Sequence, residues 1–374
     1  MVRQIQTSVA AERFVILHYH IFKNAGSTID YALHRNFGEG LVAFHGGYDD
    51  AVLVADDVSG LVNSDLSIRA ITSHHLRYPK PVVRGVRFID VCFIRHPLDR
   101  IRSLYHYGLK LEPTTWLGGV AQSFDEQGFV AHLVMHAPHV INDVQVNLLA
   151  SGGFYARPPG AADLEDAYAI VERACALGVV DMFDISMVSI EHHLRPMFPT
   201  LSMEYVPQNV SSPQASEHEE GGDGLAAACR QVWGDALYAQ VVALNEHDLR
   251  LYAKAREEVS RRFALVPDSQ ERLIEFGERR IALAEALKPP PPSPDPAAPG
   301  LDSAELSPDQ AEPSLDPMEP SLDPAQPSSD LAELSPGPVE PSLDPVEQSP
   351  DPAQPDAESR SEGFEGSTES AERQ

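Results

Sequence analysis

Short apolar runs rich in β-branched and aromatic residues alternate with polar loops in the first half of the chain. Residues 14–21 (FVILHYHI) and 86–94 (VRFIDVCFI) each run into a polar segment, which is typical of a buried strand that enters a tight turn. A third run at 68–73 stops at two consecutive histidines, and a fourth covers 177–180. The pattern predicts four strands.

Apolar residues at helical spacing follow these runs and fill most of the remaining chain. Ser27 or Thr28 is the expected N-cap of the first helix, and Pro97 suits the first turn of the second. Strands separated by helices predict an α/β fold with a mostly parallel central sheet flanked by helices. The predicted helices cover 27–35, 98–107, 163–176, 185–193 and 270–287, with one or two helices in 124–150 and a long helical region at 225–263 that breaks near Gly234.

The last 86 residues differ sharply in composition from the rest. Residues 289–374 hold 20 of the 32 prolines, and their 20 acids against two arginines give a net charge of 2 − 20 = −18 out of −28. Such a segment cannot bury enough apolar surface to offset chain entropy. We predict an N-terminal extension at 1–13, one domain at 14–288 and a disordered C-terminal tail at 289–374. A solvated spacer and a docking tail for a basic partner are both open for that tail.

The net charge and the hydropathy of the chain restrict the classes of partner and the location that we expect for it. The overall acidity argues against nucleic acid, whose phosphates need a basic face. No run reaches the roughly 18 apolar residues of a membrane span, and the polar start does not resemble a signal peptide. Cys92, Cys175 and Cys229 are irregularly spaced among apolar neighbours and are expected to be free thiols. We therefore expect no transmembrane segment and a cytoplasmic protein.

The segment that follows the first strand has the features of an anion site. It reads His-Ile-Phe-Lys-Asn-Ala-Gly-Ser-Thr from His20 to Thr28, and so places a lysine and a glycine before a helix start. Backbone N–H groups and the helix dipole favour bound oxyanions there. The lysine precedes the glycine, which is the wrong order for a Walker A loop. A plain strand–turn–helix with a surface lysine is the alternative.

A second junction repeats this logic. Arg95 stands at the end of the strand at 86–94, and Ser103 lies eight residues further on, within the predicted helix. Arginine offers a planar fork that suits phosphate, and a serine hydroxyl adds a donor. The alternative is an arginine paired with an acid and a serine that simply lies in a helix. Two independent anion motifs in one chain argue against a purely structural role for Arg95 and Ser103.

Both segments resemble the cofactor-binding motifs of PAPS-dependent sulfotransferases, in the branch that includes the heparan sulfate 2-O-sulfotransferases and bacterial relatives. That branch typically reads His-Ile-Pro-Lys-Thr-Gly/Ala-Gly-Thr/Ser, from which Phe22 and Asn24 depart here. The resemblance covers roughly residues 14–256 with gaps, more weakly at 142–149 and 245–252. It implies a P-loop-NTPase-like sheet, PAPS (3′-phosphoadenosine 5′-phosphosulfate) as cofactor and PAP (adenosine 3′,5′-bisphosphate) as product. The residues that it assigns to the cofactor are Lys23, Asn24, Ala25, Gly26, Ser27 and Thr28 at the 5′-phosphosulfate, and Arg95 and Ser103 at the 3′-phosphate.

The acceptor hydroxyl also needs a base, and histidine titrates near neutral pH. His74 and His75 follow the strand at 68–73. In the branch named above, a histidine at this place is the proposed base; alignment on the preceding small residue favours His74 and leaves His75 open. A structural histidine is the alternative for both. We expect no metal, and we interpret His132 and His136 as a helix-surface or core pair.

The resemblance thus implies an enzyme that moves a sulfuryl group from PAPS to a hydroxyl by in-line displacement, with Lys23 and one of the two histidines as catalytic residues. The expected acceptor is a carbohydrate, since that branch acts on carbohydrates. A non-catalytic nucleotide-binding protein of the same fold and a P-loop kinase are the alternatives. The sequence leaves open which acceptor is used, the oligomeric state and the role of the tail.

Overall fold

The computed structural model describes residues 12–46, 51–151, 157–207 and 222–288. The predicted tail at 289–374 and nearly all of the predicted N-terminal extension lie outside these residues, so the domain bounds stay predictions. The strands are β1 (Arg13–Tyr19), β2 (Leu41–Ala43), β3 (Ala70–Ser73), β4 (Val86–Ile94) and β5 (Ala176–Val179). The α-helices are α1 (Gly26–Phe37), α2 (Ala55–Ser64), α3 (Pro97–Gly108), α4 (Trp116–Ser123), α5 (Glu126–His136), α6 (Val144–Val146), α7 (Ala161–Arg173), α8 (Phe183–Leu194), α9 (Gly222–Trp233), α10 (Asp235–Leu244), α11 (Glu246–Ala264) and α12 (Ser269–Ala286). Short 3₁₀ turns cover Gly38–Gly40, Pro138–Val140 and Val180–Met182, and a π-helical turn covers Asn147–Ser151.

The five strands form one sheet in the order β2-β3-β1-β4-β5, and every pairing is parallel. This confirms the predicted α/β fold with a parallel central sheet. Successive side chains of a strand point to opposite faces of the sheet, so apolar residues at consecutive positions require helices to pack on both faces. In β1, Val15 and Leu17 point to one face and Ile16 points to the other, and all three are fully buried.

Helices cover both faces of the sheet. One face packs against α2, α7 and α11, which contribute Val62, Leu164 and Leu251 to its core. The other packs against α1, α8 and α12, through Ile29, Met187 and Phe276 among others. A separate all-helical core, which includes the buried Trp233, joins α3, α4, α5, α9 and α10.

Prediction and structure agree on the long elements and differ on the short ones. The four predicted strands match β1, β3, β4 and β5 to within a few residues, and α3 begins at Pro97 as predicted. The prediction missed β2, α2 and α4. The predicted cap of α1 is wrong: its N-cap is Ala25, in the left-handed conformation, and no side chain caps the helix.

The register of the sheet brings three loops to one edge. Tyr19, the last residue of β1, pairs with Ser73 at the end of β3 and with Cys92 in β4. Because the strands are parallel, the segments that follow all three leave the sheet on the same side. That edge is where open α/β sheets bind their ligands. No helix within the described residues is both long and apolar enough to cross a membrane.

Candidate functional site

The loop between β1 and α1 is shaped to expose backbone N–H groups. Lys23 and Ala25 both have positive φ angles, 67° and 61°. Alternating left-handed residues ahead of a helix turn successive N–H groups into a concave anion site. Gly26 opens α1 without a side-chain cap, and of the first-turn N–H groups those of Thr28 and Ile29 donate to the Ala25 carbonyl at 3.0 and 3.3 Å. The loop therefore has the geometry that a phosphate or sulfate group needs.

Lys23 brings a positive charge to this loop. Its Nζ atom lies 4.1 Å from the ring centroid of Tyr107 in α3 and 5.5 Å from that of Phe22. Burial, together with the charges of Arg95 and Lys110, lowers the pKa of Lys23 to about 7. Such a lysine gains its proton more readily when an anion is bound beside it.

The second junction lies directly against the first. Arg95 follows β4 and donates from Nη1 to the carbonyl oxygen of Lys23 at 2.8 Å and from Nε to Asp99 Oδ2 at 2.6 Å. The His96 side chain caps α3 by accepting from Leu98 N at 3.2 Å. Arg95 therefore connects two junctions that are 72 residues apart in the chain, and its bond to Asp99 is the pairing with an acid that the alternative for this residue predicted.

Ser103 lies in α3 and is buried, with 6% of its surface exposed. It stands six residues after Pro97, roughly 9 Å along the helix axis at 1.5 Å per residue. The structure therefore places Ser103 on the helix that Arg95 precedes. In the first loop, Ser27 is exposed, whereas Asn24 and Thr28 are buried.

One buried side chain, Gln145 of α6, holds both junctions in place. Its Oε1 atom accepts from Asn24 Nδ2 at 2.7 Å and from Arg95 N at 2.9 Å, and its Nε2 donates to the Arg95 carbonyl at 2.9 Å. Asn24 Nδ2 also donates to the Phe93 carbonyl at 2.7 Å. Sequence reasoning pointed to residues 142–149 only through the weaker part of the sulfotransferase resemblance. The structure makes Gln145 a second direct link between the two candidate anion sites, beside the bond from Arg95 to the Lys23 carbonyl.

Two carboxylates support Gln145 from behind. Asp248 of α11 accepts from Gln145 N at 3.1 Å and from Val146 N at 2.8 Å. Asp143 accepts from Asp248 N at 2.8 Å and lies 2.8 Å from His247 Nδ1. Burial, and next the charge of Asp143, raises the pKa of Asp248 to about 6. No functional role for Asp143 or Asp248 follows from the sequence, because the contacts that they make with each other and with Gln145 span more than 100 residues.

His74 lies at the same edge as the two junctions. Its Nδ1 is 2.8 Å from the carbonyl oxygen of His20, and its ring centroid is 4.0 Å from that of His20. A carbonyl can only accept, so Nδ1 carries the proton and the Nε2 of a neutral ring has the free lone pair. Burial, and next the charge of His20, lowers the pKa of His74 well below its usual value. The ring is therefore neutral near pH 7, with an unprotonated Nε2.

His75 has a different environment. Its Nδ1 accepts from Gly46 N at 2.8 Å, its backbone N donates to Ser73 Oγ at 3.0 Å, and the residue is 4% exposed. Accepting at Nδ1 places the ring proton on Nε2. The two adjacent histidines thus have opposite tautomers, and His75 is tied to the segment after β2.

A third group joins the site from α1. Asp30 Oδ1 lies 2.8 Å from His18 Nδ1, and Asp30 Oδ2 lies 3.1 Å from His20 Nδ1. His18 Nδ1 is also 3.0 Å from Thr72 Oγ1. Burial would raise the pKa of Asp30, but the two imidazoles hold it well below its usual range. Among the residues described, these three also have ligand atoms close enough together to hold a metal ion. The sequence motifs include His20 but neither His18 nor Asp30.

Comparison with known proteins adds one relative. No protein-family model matches this chain. A protein of Archaeoglobus fulgidus, described as uncharacterized, is 28% identical over 247 residues, which cover 65% of this chain and 96% of the relative. Nearly the whole of that archaeal protein thus has a counterpart in this chain, and its description assigns no function.

Proposed function

We propose that this protein is a PAPS-dependent sulfotransferase that moves a sulfuryl group to an acceptor hydroxyl. The observation that carries the proposal is the contact between the two anion-site junctions, in which Arg95 Nη1 donates to the Lys23 carbonyl at 2.8 Å. Two such sites side by side suit one ligand with anionic groups at two positions. PAPS has a phosphosulfate at its 5′ end and a phosphate at its 3′ position.

The first junction fits the 5′ group. Backbone N–H groups of Ala25, Gly26 and Ser27 would bind its oxygens, since the positive φ angles of Lys23 and Ala25 turn the loop into an anion cradle. The N–H groups of Asn24 and Thr28 donate to the carbonyls of Ile21 and Ala25 at 3.1 and 3.0 Å. Lys23 would carry the charge that balances the departing phosphate oxygen. Its pKa of about 7 in the free protein means that it completes its protonation as the anion binds.

The second junction fits the 3′-phosphate. Arg95 has Nε and Nη1 engaged with Asp99 and with the Lys23 carbonyl, which fixes the plane of its guanidinium group. Ser103 in α3 would add a hydroxyl donor. A phosphate bound by Arg95 gains a charge-assisted contact. The same guanidinium group donates to the Lys23 carbonyl, so the position of the phosphate depends on that of the first loop.

His74 is the proposed base. Its Nδ1–H is held by the His20 carbonyl, so Nε2 is the atom that would take the proton of the acceptor hydroxyl. As Nε2 takes that proton, the acceptor oxygen forms a bond to sulfur and the bond from sulfur to the phosphate oxygen breaks, with Lys23 stabilising the charge that develops. PAPS supplies the activated sulfuryl group. The proposed acceptor class is a carbohydrate hydroxyl, by resemblance to the branch named above.

Thermal shift separates this function from those of other nucleotide-binding proteins. PAP should raise the melting temperature without magnesium, whereas ATP with or without magnesium should act weakly. Transfer from radiolabelled PAPS to a glycan mixture then tests catalysis. Stabilisation by PAP without any transfer or PAPS cleavage would indicate a non-catalytic binding protein, and magnesium-dependent stabilisation by ATP would indicate a kinase.

A further inference from the structure

The ammonium group of Lys23 packs against aromatic rings. Its Nζ atom lies over the Tyr107 ring, 4.1 Å from the centroid, and 5.5 Å from the centroid of Phe22. Within the described part of the chain, this atom makes no hydrogen bond and no ion pair. The two charges that act on it most, those of Arg95 and Lys110, are both positive. An aromatic face attracts an ammonium group within about 6 Å, so Tyr107 provides the favourable contact of this cation.

Tyr107 is held in place from two sides. It lies four residues after Ser103 on α3, so the two side chains share a face of the helix, roughly 6 Å apart along the axis. The Phe22 ring meets the Tyr107 ring edge to face, with centroids 5.5 Å apart and planes at 81°. The same Phe22 ring meets the His74 ring at 5.9 Å and 80°. Tyr107 thus lies near the proposed 3′-phosphate residue and one ring away from the proposed base.

An aromatic face suits this lysine better than a carboxylate would. A carboxylate would neutralise the ammonium group and repel an anionic ligand, whereas a ring attracts the cation and brings no charge of its own. An ammonium group has three donors, and a ring covers only one side of it, so donors remain for ligand oxygens. A lysine side chain that is held in place also loses less rotamer entropy when the ligand binds. The ring therefore fixes the position of the cation without neutralising it.

We propose that Tyr107 is a positioning residue for the sulfuryl transfer, because its ring face holds the Lys23 ammonium group beside the first junction. The inference rests on the proposed function and adds a residue that lies outside both motifs. Tyr107 does not touch the reacting atoms. It acts through Lys23, which stabilises the charge on the phosphate oxygen as the bond from sulfur to that oxygen breaks.

The ring contact also favours the charged form of Lys23. Burial, and next the charges of Arg95 and Lys110, lowers the pKa of Lys23 to about 7. The attraction of the ring for a cation opposes these effects. Without the ring, the pKa of Lys23 should fall further, and a smaller fraction of the protein would have a charged Lys23 near pH 7.

Two substitutions separate the ring face from the rest of the side chain. Tyr107→Leu removes the ring and keeps an apolar side chain against Lys23, whereas Tyr107→Phe keeps the ring and removes only the hydroxyl group. In transfer from radiolabelled PAPS to a glycan mixture, kcat/KM for PAPS should be about two- to thirtyfold lower in Tyr107→Leu, which is the range of a cation–π contact. Tyr107→Phe should restore most of that loss.

Carbon NMR of the free protein provides a readout that a purely structural role would not change. The Lys23 Cε signal should titrate at a lower pH in Tyr107→Leu than in wild type, and at the wild-type pH in Tyr107→Phe. Tyr105→Leu is the matched control, since Tyr105 is half-buried on the same helix and its ring packs against Phe129 and His106. That control should leave the titration of Lys23 unchanged.

Equal kcat/KM in wild type and Tyr107→Leu, with transfer by both, would overturn the inference and leave the proposed function standing. A Lys23 that titrates at the same or a higher pH in Tyr107→Leu would overturn it as well. A wild-type protein that binds no PAP and transfers nothing would overturn the proposed function and, with it, the role of Tyr107.

Proton NMR of the wild-type protein decides the matter if Tyr107→Leu does not fold. The ε-protons of Lys23, identified by their absence in Lys23→Met, should be shifted upfield by the ring current of Tyr107. An unshifted signal would refute the inference.

Discussion

The Gln145→Met substitution tests the side chain that links the two junctions. Methionine keeps the length of the side chain but removes its amide donor and its acceptor oxygen. The N–H and the carbonyl of Arg95 then lose the partners that they have in Gln145, whereas Asn24 keeps its bond to the Phe93 carbonyl. Leaving a buried polar group unpaired costs about 1–3 kcal/mol. The two groups belong to the half-buried Arg95, so they lose less than the upper limit of about 2 × 3 = 6 kcal/mol, and we expect unfolding in urea to show a loss of about 2–4 kcal/mol.

Binding of PAP is the decisive readout for the same variant. Because Gln145 sets the distance between the two loops, we expect the affinity for PAP to fall at least about tenfold, or about 1.4 kcal/mol. Gln127→Met is the matched control, since Gln127 is exposed and its Nε2 donates to the Trp233 carbonyl at 2.9 Å, away from the junctions. The control should bind PAP like wild type. A Gln145→Met protein that is folded and binds PAP with wild-type affinity would refute the positioning role.

Three further predictions concern the proposed site. Lys23→Met should abolish transfer. Because the pKa of Lys23 is lowered to about 7, the unfolded chain binds more protons than the folded one between about pH 7 and 10, so the free wild-type protein should gain stability relative to the variant as the pH rises through that window. Urea unfolding at pH 7, 8 and 9 measures this difference, and the same pH dependence in both proteins would contradict the prediction. Arg95→Ala should weaken PAP binding by about 1.5–3 kcal/mol in calorimetry, and unchanged affinity would remove Arg95 from the site. His74→Ala should lower kcat about 10²–10⁴-fold with PAP affinity retained, whereas His75→Ala should mainly lower the melting temperature; the reverse pattern would make His75 the base.

The sequence predicts the elements whose signals are local and strong. Runs of β-branched residues specify β1 and β4, and Pro97 marks the first turn of α3. The three missed elements have weak local signals. Strand β2 has only three residues, α2 contains Ser59 and Gly60, and α4 contains two consecutive glycines, so tertiary packing decides their conformation.

The candidate site shows the same division. The sequence indicated Lys23 and Arg95, because each lies between a strand and a helix in a motif that is visible in consecutive residues. It could not reveal that Gln145 binds both motifs, since that contact joins residues 50 and 121 positions apart. Nor could it distinguish His74 from His75, because their tautomers depend on the His20 carbonyl and on Gly46 N. Hydrogen bonds between distant segments are a property of the folded chain.

The attachment of Gln145 to Asp248 constrains how far the protein can be shortened. All five strands are complete by Val179, so a fragment that ends soon after the sheet would retain every residue of the motifs at both junctions. That fragment would lack α11, and with it the carboxylate that accepts from the backbone of residues 145 and 146. A minimal version that keeps Gln145 in place must therefore extend at least through Ala264, even though no residue beyond 103 belongs to either motif.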